Sequence, residues 1–310
     1  AKIVGLGAFT SVVGDKGFTI AERVKIGVTT GNSYTTATGL EGTLLAAERM
    51  GHDPRQSTAA ILGATGSIGK IAAKLLAPQV GRLVLVGRKR ETLEAVRADL
   101  NGAGNVAVET DLTAGLREAD MIVAVTSSIE AIVQPEHLKP GAVVCDIARP
   151  RDVSRRVAEE RDDVLVIEGG AVAVPGDVNI EFNFGFPPGM VYACMAETML
   201  LALEGRTGDY SLGADLRQEQ VEEMAALARK HGFKLGGFRS FERQLTDDGV
   251  VIIKFFLHIS KEEQKRRLNE REKDALTSWM ITQGDWDFHA HYDDYLPIIE
   301  DYISGTDTRH

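Results

Sequence analysis

Between Thr58 and Ile167, short apolar runs alternate with segments whose apolar positions recur at helical spacing. Thr58–Leu62, Leu83–Val86, Val106–Val108, Met121–Val125, Ala142–Ile147 and Val164–Ile167 read as strands. Lys70–Ala77, Glu91–Leu100 and the polar Val153–Glu160 read as helices among them. Strands that are apolar on both faces belong in a parallel sheet covered on both sides. Ahead of this block, Lys2–Phe9 is strand-like, and helical spacing runs from Ser33 to Met50 until Gly51-His-Asp-Pro54 stops it. Behind it, Ala171–Gly189 is loop-rich, with Asn179, Asn183 and Pro187-Pro188. Two helices follow, Met190–Glu204 closed by Gly205 and roughly Ala214–His231 closed by Gly232. A last apolar run, Val250–Ile259, leads into a charged helix, Lys261–Lys273, that Ser260 is expected to cap.

The stretch Thr58–Lys70 joins a strand to a helix through Gly63, Gly66 and Gly69. Glycines there let the backbone approach a pyrophosphate, and the N–H groups opening the helix hold its charge. A triphosphate loop needs four residues between its first glycine and Gly-Lys, then Ser or Thr. Here five separate Gly63 from Gly69-Lys70, and Ile71 follows. A dinucleotide is therefore the expected ligand, with Gly63, Thr65, Gly66, Ser67, Ile68 and Gly69 around it. Thr126, Ser127, Gly169 and Gly170, at the ends of later strands, are read as further cofactor contacts.

The second strand of this unit ends in Gly87-Arg-Lys-Arg90, without the acid that an NAD-selective site places against the ribose hydroxyls. Arg88, with Lys89 beside it, suits a 2′-phosphate, so NADPH is the expected cofactor. A solvated basic turn is the plainer reading of the same residues. The expected fold is α/β, a Rossmann-type doubly wound parallel sheet with a flanking substrate lobe and a small α/β C-terminal appendage. In residues, 57–169 bind the cofactor, 1–56 and 170–236 form the lobe, and 237–310 form the appendage.

Two places in the lobe carry candidate chemistry. Thr29-Thr-Gly-Asn-Ser33 precedes a helix, so Asn32 or Ser33 can be its cap. Equally, its hydroxyls and amide can face a substrate beside the cofactor. Cys194 lies about one turn into the apolar helix after Pro187-Pro188, where the helix dipole gives mild help. A cysteine on such a helix is usually a small buried hydrophobe. Beside a nicotinamide it also suggests thiolate attack on an acyl group followed by hydride delivery. Glu197 and Thr198 share its face, and Cys194, Glu197 and Asn32 form the catalytic candidate set; no metal site is expected. Cys145 sits in a strand and reads as packing.

Composition narrows the partners. A net charge of −10 over 310 residues opposes nucleic acid as the main partner. The two cysteines make no disulfide framework and suit a reducing cytoplasm. No run approaches eighteen apolar residues and no export signal opens the chain. Because Ala1 leads almost directly into a strand, the sequence reads as beginning inside a longer one.

From about Leu6 to Phe233 the chain resembles the long-chain acyl-[acyl-carrier protein] reductases that supply fatty aldehyde for alkane synthesis. The resemblance rests on Gly7-Ala-Phe-Thr-Ser11, Thr29–Ser33, Gly63–Gly69, Glu168-Gly-Gly170, Cys194–Gly205 and His231-Gly-Phe233. It implies NADPH, an acyl thioester formed on Cys194, and release of aldehyde. It also implies an N-terminal region that this sequence lacks, where an acyl carrier would dock. Expected partners are acyl carrier protein or a CoA thioester, an aldehyde-consuming enzyme and another copy of the chain, without stable membrane insertion. The alternatives are a phosphotransferase residing in the C-terminal part, a shikimate-type dehydrogenase, which would use a Lys/Asp pair instead of Cys194, and a non-catalytic remnant.

The last quarter resembles a different family, the second polyphosphate kinases. The matching residues are Lys254–Gln264, Arg267, Arg271-Glu-Lys-Asp274, Trp279 and Asp285-Trp286. There the basic helix is a lid over phosphate chains. The phosphate-binding glycine loop and the magnesium-holding strand of that family are not in this sequence, so a lid without its cradle is expected to be inert. With acids interleaved among its bases, a solvated helix face is the plainer reading. Two incomplete families meeting near Gly232–Arg243 imply a gene fusion, an engineered chimera or an assembly artefact.

Overall fold

Six strands form one parallel sheet: β3 (Thr58–Leu62), β4 (Arg82–Val86), β5 (Val106–Glu109), β6 (Met121–Ala124), β7 (Val143–Asp146) and β8 (Leu165–Glu168). Their order is β5-β4-β3-β6-β7-β8, with Ala60 of β3 beside both Val84 and Ile122. The winding thus reverses between β3 and β6, and such a reversal opens a crevice at the carboxyl ends of the strands. Both faces of the sheet are buried. Ile61, Leu83, Leu85, Met121 and Cys145 belong to one core, and Leu62, Val84, Ile122, Val144 and Val157 to the other. The chain is therefore the α/β doubly wound protein that the apolar runs predict.

This computed structural model describes residues 1–7, 15–100, 102, 105–148, 150–176, 178, 186, 189–213, 216–236, 260–273, 281 and 283–293. The chain divides into two compact units, Ala1–Phe241 and Glu242–His310. Phe9, Thr10, Ser11, Asn179, Asn183, Pro187, Pro188, the run Val250–Ile259 and Trp279 lie outside the described residues.

One long helix, α2 (Asn32–Arg49), lies against the sheet and also against the helices that follow it. Close approach to the sheet depends on Gly39, where a methyl group would sit 2.3 Å from Ile147 Cδ1. Cys145 Sγ lies 3.5 Å from the Gly39 carbonyl and is fully buried, the packing role expected of it. Beyond the sheet, β1 (Ile3–Gly5) and β2 (Gly27–Thr29) form a parallel pair. A second small sheet has the order β10-β9-β11, from β9 (Ala171–Ala173), β10 (Met190–Tyr192) and β11 (Lys234–Leu235). Helices α7 (Ala193–Leu203) and α8 (Gln218–His231) pack on α2 around Tyr34, Val191, Leu200, Leu201 and Met224.

Several boundaries differ from the sequence reading. Met190–Tyr192 is a strand, paired antiparallel with Ala171–Ala173, so α7 begins at Ala193. Val191 and Tyr192 favour extended structure, and a partner strand is present to take them. The helix after β2 is capped by neither Asn32 nor Ser33: its cap is Gly31, at φ 75°, and both candidates lie within the first turn. Ser154 caps the polar helix, which accordingly starts at Arg155.

In the second unit, Lys261–Lys273 is helical, and Ser260 Oγ accepts the N–H of Glu263 at 3.2 Å, as expected. Arg266 binds Glu263 and Glu270, and Arg267 binds Glu263. The helix face is thus a self-paired lattice of charge. A shorter helix, Gln283–Ala290, meets it through His289 Nδ1, 2.8 Å from Gln264 Oε1.

The glycine turn after β3 holds the sheet to its first helix. A methyl group at Gly69 would lie 2.3 Å from the Gly63 carbonyl oxygen and 2.8 Å from Ala64 Cα, both main chain and unable to yield cheaply. Gly69→Ala should therefore cost about 1–3 kcal/mol in urea unfolding. Gly208→Ala, where nothing lies within 4 Å, should stay within about 0.5 kcal/mol of wild type.

Candidate active site

Two groups of residues meet the carboxyl edge of the sheet. The first is the glycine turn. Gly63, at φ 89°, presses on the segment after β6, and a methyl group there would lie 2.9 Å from the Val125 carbonyl oxygen. Gly66 is different: a methyl group would approach only the Gly63 carbonyl oxygen, at 3.3 Å. Gly66 is the cap of α3 (Ser67–Leu76) and makes no side-chain capping bond. The N–H groups of the first turn, at Ser67, Ile68 and Gly69, thus form an anion site beside exposed Thr65. Turn, open backbone and packed helix are the three tasks a pyrophosphate cradle sets its glycines. The residues present fit a dinucleotide.

Arg88 and Lys89 follow β4, exposed at the same edge. Arg90 lies near Glu94 and Glu109 at 3.9 and 4.0 Å. Among the described residues neither Arg88 nor Lys89 has an ion-pair partner. Thr126 is committed elsewhere: its hydroxyl donates to buried Asp152 and accepts the N–H of Ser128. Burial pushes the Asp152 carboxyl above its ordinary range, against the pull of its two bonds from Thr126. Ser127 is exposed beside it.

The second group gathers where β8 ends. Gly169 fits under Ile147, a methyl group there lying 2.4 Å from Ile147 Cγ1, and Gly170 turns the chain at φ 92°. The Gly170 carbonyl accepts the N–H of Ala193 at 2.7 Å, which fixes the start of α7. Cys194 is therefore the second residue of its helix, nearer the positive end of the dipole than the apolar run suggested. It is half-buried and outside any disulfide. A methyl group at Gly31 would lie 2.2 Å from Cys194 Cα and 2.3 Å from its Cβ, and one at Gly7 would touch Sγ at 3.9 Å. The amino-terminal ends of α2 and α7 thus converge on this cysteine, with half-buried Asn32 next to Gly31.

Glu197 holds that convergence. It is fully buried, one turn beyond Cys194. Its Oε1 accepts the hydroxyls of Thr29 at 2.5 Å and Ser211 at 2.7 Å, and its Oε2 accepts the N–H of Tyr34 at 2.8 Å. The carboxylate supplies from α7 the cap that Gly31 cannot supply to α2. Ser211 adopts φ 42°, in the left-handed region, while bonded to Glu197 and to Thr30, whose hydroxyl donates to its carbonyl. Ser211 is not singled out by the sequence reading, whereas Thr29–Ser33 reads there as a cap or a substrate contact and Gly7 as part of the family resemblance. Gly31, set between Thr30 and a helical pattern, carried the clearest signal. No group of three or more His, Cys, Asp or Glu among the described residues is placed to hold a metal, and no helix among them is long and apolar enough to cross a membrane.

The sequence is 32% identical over 248 residues to a long-chain acyl-[acyl-carrier-protein] reductase of Synechococcus elongatus, covering 75% of this chain and 71% of that protein. The chain belongs to the long-chain acyl-[acyl-carrier-protein] reductase family. It is also 34% identical over 264 residues to the aminotransferase PigE of a Serratia strain, covering 83% of this chain. It spans only 31% of that relative's length. Residues 45–168 match the Shikimate / quinate 5-dehydrogenase family, a stretch that ends before Cys194. Residues 209–310 match the Polyphosphate kinase 2 family. A 72-residue segment is 43% identical to an AMP/ADP-polyphosphate phosphotransferase of Meiothermus ruber, covering 23% of this chain and 27% of that one. The family match reaches back over α8, which packs within the first unit; the second unit begins at Glu242. A reductase-family segment is thus joined to a segment that matches the Polyphosphate kinase 2 family.

Burial pushes the Glu197 carboxyl above its ordinary value of 4.5, and the bonds from Thr29, Ser211, Tyr34 and Gly31 oppose the shift. The folded chain then keeps a proton that the unfolded chain has released, so stability falls as pH rises through the raised value. Thermal unfolding of wild type and Glu197→Gln across pH should show wild type losing stability relative to the variant as pH increases from below 4.5. A flat or rising difference would contradict this.

Proposed function

We propose that residues 1–236 reduce a long-chain acyl thioester, carried by an acyl carrier protein or by CoA, to the fatty aldehyde through an acyl group on Cys194. The observation that carries this is the placement of Cys194, at the start of α7 and against the start of α2, beside the carboxyl end of β8. That strand is three places along the sheet from β3 and its glycine turn, about 14 Å at ordinary strand spacing. A dinucleotide laid along the edge with its pyrophosphate at Gly66 brings its far end towards Cys194. The family membership supports the same chemistry.

In this reading the first-turn N–H groups of α3 hold the pyrophosphate and Arg88 holds a 2′-phosphate, which makes the cofactor NADPH. The nicotinamide, when bound, supplies the hydride. The chain's own part is nucleophilic. Two helix amino termini favour negative charge on the Cys194 sulfur, which attacks the acyl carbonyl carbon as the carrier leaves as a thiol. Glu197 has both oxygens bound by protein donors, so it positions Thr29–Tyr34 rather than exchanging protons with substrate. Overall, acyl thioester, NADPH and a proton give aldehyde, free carrier thiol and NADP⁺. The polyphosphate kinase segment has charged helices but no phosphate cradle in this sequence, and we assign it no transfer activity.

Two experiments test the proposal. Cys194→Ser should abolish acyl-dependent NADPH oxidation while NADPH binding, followed by nicotinamide fluorescence, persists. Retained turnover would return Cys194 to a packing role. Arg88→Ala should weaken NADPH binding about ten- to a hundredfold, the range of a charge-assisted phosphate contact, and leave NADH nearly unchanged. Equal losses for both cofactors would remove Arg88 from the site.

A further inference from the structure

Ser33 is completely buried, and its Oγ has no hydrogen-bond partner. Removing a hydroxyl from water without a partner costs about 1–3 kcal/mol, so an orphaned hydroxyl in the first turn of α2, two residues from the Gly31 that packs on Cys194, calls for a use. The threonine hydroxyls around it are all occupied. Thr29 and Thr30 bind Glu197 and Ser211, Thr35 Oγ1 donates to the Gly31 carbonyl at 2.8 Å, and Thr36 Oγ1 donates to the Asn32 carbonyl at 2.7 Å.

The main chain at this point has the same character. Gly31 N–H points to Thr29 Oγ1 at 3.4 Å, Tyr34 N–H is taken by Glu197, and Thr35 N–H closes onto the Gly31 carbonyl at 3.1 Å. Between them, the N–H groups of Asn32 and Ser33 have no acceptor among the described residues. An uncapped helix start therefore presents two main-chain donors and one hydroxyl within two residues of Gly31, the residue packed on Cys194. Glu197 takes the next donor along, which keeps the turn in place without covering the first two.

We propose that Ser33 Oγ, with the N–H groups of Asn32 and Ser33, holds the carbonyl oxygen of the acyl thioester as Cys194 attacks it. This rests on the acyl-transfer reading above and gives the buried donors their acceptor. In the step, the Cys194 sulfur forms a bond to the carbonyl carbon, and the carbonyl π pair moves onto oxygen, where the three donors meet the developing charge. The pair then returns, the bond from carbon to the carrier sulfur breaks, and the departing thiolate takes a proton from solvent. Donors fixed before the charge develops stabilise it without reorganisation, which is the condition for a large effect on rate.

The test is the half-reaction alone. The full-length protein is mixed with palmitoyl-CoA in the absence of NADPH, and acyl mass on Cys194 is followed in time. Ser33→Ala should acylate about 10²- to 10³-fold more slowly than wild type, the effect of removing one oxyanion donor. Because the hydroxyl has no partner in the folded chain, the same variant should keep or gain thermal stability and keep its NADPH affinity. Ser33→Cys, with a weaker donor of similar shape, should fall between the two. Ser33→Ala acylating at the wild-type rate overturns the proposal and leaves the acyl-enzyme reading standing. A fall in its thermal stability also overturns it, because the hydroxyl would then be structural. Wild type that takes up no acyl group overturns both readings together.

Discussion

Everything at the candidate site hangs from the buried carboxylate of Glu197. It ties α7 to the end of β2, to the first turn of α2 and to Ser211, segments that are far apart in sequence. A buried carboxyl group is costly unless its oxygens are filled, and each hydrogen bond that fills them contributes about 0.5–1.5 kcal/mol. The Thr29 and Ser211 hydroxyls and the Tyr34 N–H meet that need. The consequence is geometric. Glu197 is one turn from Cys194 on α7, and Tyr34 is three residues from Gly31 on α2. Joining those two residues therefore fixes the gap between the two helix starts.

The sheet supplies the other half of the arrangement. Its reversal of winding between β3 and β6 puts the glycine turn at the middle of the carboxyl edge, while β8, at the border of the sheet, delivers Gly170 to the start of α7. The helix α2 spans both regions, lying on the sheet at Gly39 and meeting Cys194 at Gly31. Cofactor edge and nucleophile are thus parts of one packed body. In the second unit, Arg266 and Arg267 are spent on the neighbouring Glu263 and Glu270.

The parts legible in the sequence are those set by local pattern. Apolar runs such as Leu83–Val86 and Met121–Val125 could only be buried parallel strands, and the spacing of Gly63, Gly66 and Gly69 carried the turn. What escaped was set by distant partners. Met190–Tyr192 is as apolar as the helix after it, and only its pairing with Ala171–Ala173 makes it a strand and moves the start of the helix to Ala193. Asn32 and Ser33 are good caps by residue type, yet a carboxylate 163 positions from Tyr34 takes the role. Thr126 reads as a cofactor contact at a strand end, but its hydroxyl faces Asp152. Ser33 reads equally as a cap and as a hydroxyl facing a substrate; the absence of any partner is a property of the folded chain.

The central claim is that Cys194 carries the acyl group on the path to product. The most direct measurement is a single-turnover chase: protein loaded from palmitoyl-CoA without NADPH, the acylated peptide located by mass, then NADPH added and aldehyde followed. The account predicts acyl mass on the peptide holding Cys194 and not on that holding Cys145, discharged as aldehyde at least as fast as steady-state turnover. Aldehyde formed with no acylated Cys194, or an acyl group there that NADPH does not discharge, would contradict it.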